Sequence, residues 1–455
     1  MTTEIFSKEL DYSTKILNAS TSVYRDISTQ ASGDVVLSST SSVGPSEFII
    51  PSSVLNLSKS RLNFTFSHNA VADKSSWCEA NLLSMISRVV CYDSSSSAVL
   101  LDVSNFEKYC ALTTPVGTKL DDFLTKSVSS ANPAITIAAA QLRTCEDIQK
   151  VNATSNYGVD MAGAAVDLNV ENKNLGRRQK LIGGIAAAFA VDVSIPLSAF
   201  KFTALALDKQ IYCPSNLVLQ IYFNPVDNFL FQTESVTSTA TVSSLPVAAN
   251  PSISNLKLAI CNEGNLSVVG QVIETVMKKG LSFPIGYPTT TRQSIAISSA
   301  HAYQLQLTRG YGQRILGIVT APFSTVGIHT ANVHARGLVT HYNTYINNIS
   351  IKYPNGFDCT KSTDYMIGNK EQLKDSAVQT LGTYAAAEWL HSDGFTGDSP
   401  LCRMDPGVIS GLDVSNQSST WSIQADLSAN AAYTWVTAII GQKVLTFSSQ
   451  GSSVQ

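Results

Sequence analysis

Few side chains in this sequence are of types that do chemistry, and their spacing gathers none of them into a reactive pattern. His329, His334 and His341 fall within one short stretch and could meet on loops as imidazole ligands. No carboxylate lies near them in sequence, and metal sites draw on closely spaced donors, so they read as solvated or interface histidines. Cys359 and His391 would make a thiol–imidazole pair only if the fold happened to bring them together. Asp398-Ser399-Pro400 sets a serine after an aspartate but lacks the glycines that follow a serine-protease nucleophile, and reads as a loop. Gly310-Tyr311-Gly312 is a GxG without a third glycine, hence a turn, and no Walker A loop, HExxH or GxSxG is present. The expectation is a chain that is not an enzyme and holds no cofactor and no metal.

Eight cysteines are scattered without a CxxC pair, the pattern of reduced, buried thiols rather than of a disulfide framework or a zinc site. The most basic spot is Lys173, Arg177, Arg178 and Lys180, which reads as a solvated loop or a contact surface. Aromatic residues near it are too sparse for a base-stacking platform, and a net charge of −3 gives no basic field for nucleic acid. No sequence-specific nucleic-acid partner is expected. Asn-x-Ser/Thr sequons such as those at Asn18, Asn63, Asn265 and Asn416 follow from the Ser/Thr/Asn-rich composition.

The elements that must position these residues are strands. Only 14% of the residues are charged, against about 25% in an average soluble domain. A long chain this poor in charge hides much of its surface, in a core or against copies of itself. Residues 1–15 lack the positive-then-apolar pattern of a secretory leader. The longest apolar run, residues 181–191, is far below the ~20 residues of a membrane-spanning helix. A soluble chain without export is expected.

Residues 1–32 read as an N-terminal arm in which Ile5, Phe6, Leu10, Ile16 and Leu17 could line one face of a short, interrupted helix. Beyond it, Leu62, Phe64 and Phe66 share one strand face at period two. Further strand runs lie at 82–93, 99–103, 185–195 and 216–223. A more helical stretch lies at 105–126, and 127–180 reads as a long excursion. Residues 232–251 are Thr/Ser/Ala-rich, lack Lys and Arg, and contain Pro246 and Pro251, which suggests a domain boundary. The second half repeats the style, with strands at 256–260, 294–297, 303–307, 314–319, 348–353, 421–427 and 443–447. It has one helix at 370–390 and an exposed or inter-subunit loop at 320–339. The expected division is arm 1–32, a first unit 33–240, and a second unit with its tail at 241–455. Two strand-rich units of this size suit two packed antiparallel sandwiches of the jelly-roll kind.

A series of short segments then resembles a known family in the right order. They are FIIPSSVLNLSKSRLNFTF (48–66), MISRVVCYDSSSSAVLLDVSNFEKYCAL (85–112), AVDVSIPLSAF (190–200) and IYCPSNLVLQIYFNPVDNFL (211–230). The second half adds LKLAICNEGNLSVV (256–269), GLSFPIGYPTTTRQSIAIS (280–298), RILGIVTAPFSTV (314–326) and YNTYINNISIKYPNG (342–356). Together they resemble the double jelly-roll major capsid proteins of icosahedral DNA viruses, with the Polinton-like viruses and adintoviruses as the nearest likeness.

The resemblance implies an all-β fold of two jelly rolls side by side, with short helices and long loops. It implies a homotrimer that forms a pseudo-hexameric capsomer and tiles an icosahedral shell in the virion capsid, assembled inside the host cell. Penton and minor capsid proteins would be partners, and an internal membrane a possible one. Assembly contacts are expected from Ile5, Phe6 and Leu10 in the arm, at the capsomer base, and from Arg177 and Arg178. The other reading open at this point is a β-rich spike, adhesin or carbohydrate-binding module.

Overall fold

A computed structural model describes residues 20–31, 33–69, 74–77, 81–110, 129–130, 179–180, 189–200, 202–233, 242–243, 247–324, 339–346, 349–350, 401–402, 412–416 and 418–455. In chain order the principal elements are β1 (Ser22–Ser28), β2 (Val43–Ile50), β3 (Val54–His68), β4 (Ile86–Asp93), β5 (Val99–Ser104), β6 (Phe189–Pro196), β7 (Leu217–Phe223) and β8 (Ser252–Glu263). The helix α1 (Leu266–Lys279) follows, then β9 (Leu281–Leu307), β10 (Arg314–Ser324), β11 (Val339–Ile346), β12 (Ser419–Ser448) and β13 (Gly451–Val454). Strands dominate and pair antiparallel throughout.

Two of the three sheets of the first half supply its core, with alternate side chains turned inward. One, of seven strands, runs β1–β8–β3–β6 through its centre; the other runs β2–β7–β4–β5. From the first come Leu62, Phe64, Phe66, Val193, Ile195, Leu258 and Ile260. From the second come Phe48, Ile50, Leu219, Ile221, Phe223, Val89, Cys91, Leu101 and Val103, all buried in one core. Period-two burial of this kind is what a strand with one covered face requires.

Along β3 the inward set changes parity, from Leu55 and Leu57 to Leu62, Phe64 and Phe66. The register against β8 slips at that place, where Ala259 faces Arg61 but Cys261 faces Asn56. The extra residues are tied off by side chains: Ser60 Oγ donates to the Asn56 carbonyl (2.9 Å) and accepts from the Cys261 amide (3.0 Å). Asn56 in turn donates to Asp208 (2.8 Å). A bulge thus re-aims the strand without leaving its displaced backbone groups unmet.

The second half is built on β9 and β12, which pair from Leu281 opposite Phe447 to Leu307 opposite Ser419. β10 and β11 pair with β12 as well, in a sheet of eight strands. This sheet folds over on itself. The ring of His301 stacks on Trp435 at 4.3 Å, yet the register partner of Trp435 is Gln293. That residue would lie about 25 Å from His301 along a flat strand. Register shifts between Ile295 and Ser298 and between Ser298 and Ala300 supply the bend. The fold-over encloses Trp421, Trp435, Val436, Ile439, Ile315 and Ile318.

His301 is buried with no hydrogen-bond partner for Nε2, and desolvation pushes its imidazole down to about 4 from 6.5. The unfolded chain therefore takes up this proton before the folded one does. The contribution of His301 is complete above pH 6.5 and is lost as pH falls from there toward 4, at no more than about 1.4 kcal/mol per pH unit. His301→Phe is expected to keep the stacking and remove this part of the acid slope. Urea unfolding of both proteins between about pH 4 and 7 checks it; parallel slopes would contradict the assignment.

Several sequence expectations change. Residues 22–28 of the arm form a strand, paired along their length with β8 from Ser22–Glu263 to Ser28–Lys257. Strand pairing of the first half continues beyond the linker at 232–251. β8 still belongs to the first half, with Leu258 opposite Leu62 and Ser252 opposite Ser67, and the change-over comes through α1 into β9. Prolines mark entry into a strand as readily as a boundary. Thr320 is no loop residue but is fully buried in β10, accepting from Trp435 Nε1. The strands expected at 294–297 and 303–307 are one strand, as are those at 421–427 and 443–447. The helix expected at 370–390 lies outside the described residues.

Candidate functional site: the seam between the two halves

Among the described residues, those singled out for chemistry do not converge. Gly310 lies in a single 3-10 turn over Arg309–Tyr311, capped by the Thr308 hydroxyl. Cys91, Cys110, Cys213 and Cys261 are free and buried. Burial raises Cys91 to about 12 and carries Cys110 and Cys213 upward too, so these thiols stay protonated and poorly nucleophilic. His341 lies in β11, while His329, His334, Cys359, His391 and Ser399 lie outside the described residues. So do the expected contact residues Ile5, Phe6, Leu10, Arg177 and Arg178, although the adjoining Gln179–Lys180 forms an edge strand against Ser76 and Trp77. Among the described residues no group of His, Cys, Asp and Glu could hold a metal ion, and no helix is long and apolar enough to cross a membrane.

What the described residues do bring together is a polar seam joining the two halves. At its centre is Asp93, the last residue of β4, with no exposed surface. Its Oδ1 accepts from the Ser95 amide (2.9 Å), the Ser95 hydroxyl (3.1 Å) and the Ser215 hydroxyl. Its Oδ2 accepts from the amide and the hydroxyl of Ser452 (2.7 and 2.9 Å), and from the Cys213 thiol at 3.5 Å. Burial by itself would raise this carboxyl. The bonds from Ser215, Ser95 and Ser452 outweigh it and hold Asp93 well below the usual carboxylate range. Ser452 belongs to β13, so one buried carboxylate ties the first half to the second.

Around it the contact is close and mostly uncharged. Thr290 of β9 donates to the Ser104 carbonyl at the end of β5. Gly286 lies so near the first half that a Cβ there would come within 2.5 Å of the Phe202 carbonyl oxygen; only glycine allows this approach. Arg88 grips Asp102 through Nε and Nη2 (2.8 and 2.7 Å). On the other side Lys443 stands 3.7 Å over the Tyr287 ring, whose hydroxyl is raised by burial and by Asp102.

The sequence reading missed α1 altogether. Its signals are nonetheless present: Asn265 caps the helix by accepting from the Ser267 amide (3.0 Å), Lys278 and Lys279 close its last turn, and Gly280 follows at φ 73°. α1 is the connector that carries the chain from β8, in the first half, to β9, in the second.

This arrangement joins the two halves through buried, mostly uncharged polar contacts. No family model and no curated protein matches the sequence. The fold, however, matches solved structures over almost its whole length. A chain of the Sputnik virophage structure is similar with a TM-score of 0.53 and 9% identity, over 96% of this chain and 88% of that one. The mavirus major capsid protein is similar with a TM-score of 0.51 and 11% identity, over 95% and 90%. A chain of the PBCV-1 virus capsid has a TM-score of 0.50 and 12% identity, over 96% and 97%. The fold is a double jelly roll.

In those terms the seam is the contact between the two rolls. Asp93 and Ser104 mark the rim of the first, and Thr290 and Ser452 that of the second. At such low identity the likeness resides in backbone architecture, and residues 359 positions apart in this chain create its version of the contact.

Proposed function

We propose that this chain is a viral major capsid protein: a structural subunit, not a catalyst, that self-assembles as trimers forming pseudo-hexameric capsomers of an icosahedral shell. The observation that carries the reading is a double jelly roll extending over nearly the entire chain, with its rolls fastened side by side. Three such pairs present six roughly equivalent towers, which is the geometry a hexagonal tile needs.

The composition supports the same reading. At 14% charged residues the surface loses little on desolvation when it is buried against other copies, and obligate interfaces bury upwards of about 2,000 Å². On this reading Ile5, Phe6, Leu10, Arg177 and Arg178 serve contacts between subunits. Penton and minor capsid proteins, and an internal membrane, are the further neighbours in a virion assembled within the host cell. Electron microscopy of the concentrated, purified chain is the test: closed shells or hexagonal arrays are expected. Dispersed single subunits under every assembly condition tried would overturn the reading.

A further inference from the structure

We propose that β13 is a clasp and that the Asp93 turn is its receptor: a binding site on the first roll for the Gly451-Ser452 main chain, occupied by the chain itself. The site reads every polar group of one residue. The amide and hydroxyl of Ser452 both go to Asp93 Oδ2, and its carbonyl accepts from the Ser96 hydroxyl at 2.9 Å. It also requires glycine just before. Gly451 has φ +105°, and a Cβ there would lie 2.8 Å from Asp93 Oδ2 and 3.2 Å from Ser95 Oγ.

The receptor side stands ready without the guest. Ser95 and Ser215 already saturate Oδ1, and the turn is closed by Ser97 N donating to the Asp93 carbonyl (2.9 Å) and Ser94 N to the Asn216 carbonyl (2.9 Å). What the guest adds is partners for Oδ2, which otherwise keeps only the thiol of Cys213 at 3.5 Å. On its other edge the same strand pairs with β12, Phe447 opposite Ser452 and Leu445 opposite Val454. Residue 455 exchanges two further main-chain bonds with Val444, of 2.8 and 3.0 Å. One short strand is therefore bound to both rolls at once. Its engagement fixes one roll against the other, and its release is the step by which they part.

The experiment is hydrogen exchange on the full chain, comparing wild type with Ser452→Ala and Gly451→Ala, both on the guest side, and Asp93→Asn on the host side. The clasp predicts that each change speeds exchange by tenfold or more, together, in residues 451–455 and in the turn at 94–97. Amides of Leu62, Phe64 and Phe66 in the first core should stay unchanged in the two guest-side variants. Unaltered exchange in both 451–455 and 94–97 would overturn the proposal. So would a uniform rise across both rolls in the guest-side variants, which would make the contact part of general stability rather than a separable clasp. Neither result depends on whether shells form, so this test and that of the capsid reading fail independently.

Discussion

Asp93→Ala is expected to lower the unfolding free energy by about 3–5 kcal/mol. The loss comes less from the missing carboxylate than from what it leaves behind. The amides of Ser95 and Ser452 and the hydroxyls of Ser215 and Ser452 all give their hydrogens to this side chain, at a place without solvent. A buried donor stripped of its acceptor costs about 1–3 kcal/mol, and alanine supplies no replacement. Because the carboxyl of Asp93 is held well below its ordinary range, its contribution is present above the unfolded carboxylate pKa. That contribution is lost only as pH falls through the depressed folded value. Acid sensitivity above about pH 4 therefore belongs to groups such as His301, not to Asp93. Chemical denaturation at neutral pH checks the magnitude; a change under about 1 kcal/mol would mean the carboxylate is dispensable to the seam.

Trp435→Ala is expected to cost a comparable amount, about 3–5 kcal/mol, but in the second roll. The indole is almost wholly buried, stacks on His301 at 4.3 Å and donates to Thr320. The Thr320 hydroxyl is also shared with Thr437 at 2.8 Å. Truncation opens a cavity at the point where the sheet folds over on itself and gives His301 access to water. The same variant should lose the part of its acid slope that His301 supplies, because the imidazole returns toward its ordinary pKa once it is no longer desolvated. Thermal or urea unfolding of Trp435→Ala beside Trp435→Phe, which refills most of the space, separates packing from the bond to Thr320. Equal stability of Trp435→Ala and wild type would contradict the described core.

Some of this was legible in the sequence and some was not, for physical reasons. The alternation of Leu62, Phe64 and Phe66 announced a half-covered strand because side-chain direction has period two wherever the ladder is regular. The parity change at Leu57 was hidden because a bulge costs only a local hydrogen-bond rearrangement, which Ser60 and Asn56 supply with residue types common everywhere in this chain. The long strand β9 read as fragments because its middle portion carries no clear alternation, Arg292, Gln293 and Ser294 all being exposed. Helix α1 was readable from Asn265, Val268, Val272, Val276 and Gly280, but the alternating Leu256, Leu258 and Ile260 just before it made the segment read as strand. The seam was not readable at all: nothing local to Asp93 points to Ser452, and the partnership exists only once both rolls have formed.

The central claim is that two fastened jelly rolls make one building block for assembly. The most direct test is the mass of the purified chain in solution at micromolar concentration, by light scattering coupled to size exclusion. A particle of three times 48.7 kDa, persisting on dilution, is the result this account predicts. A species of 48.7 kDa alone at every concentration and salt condition would contradict it.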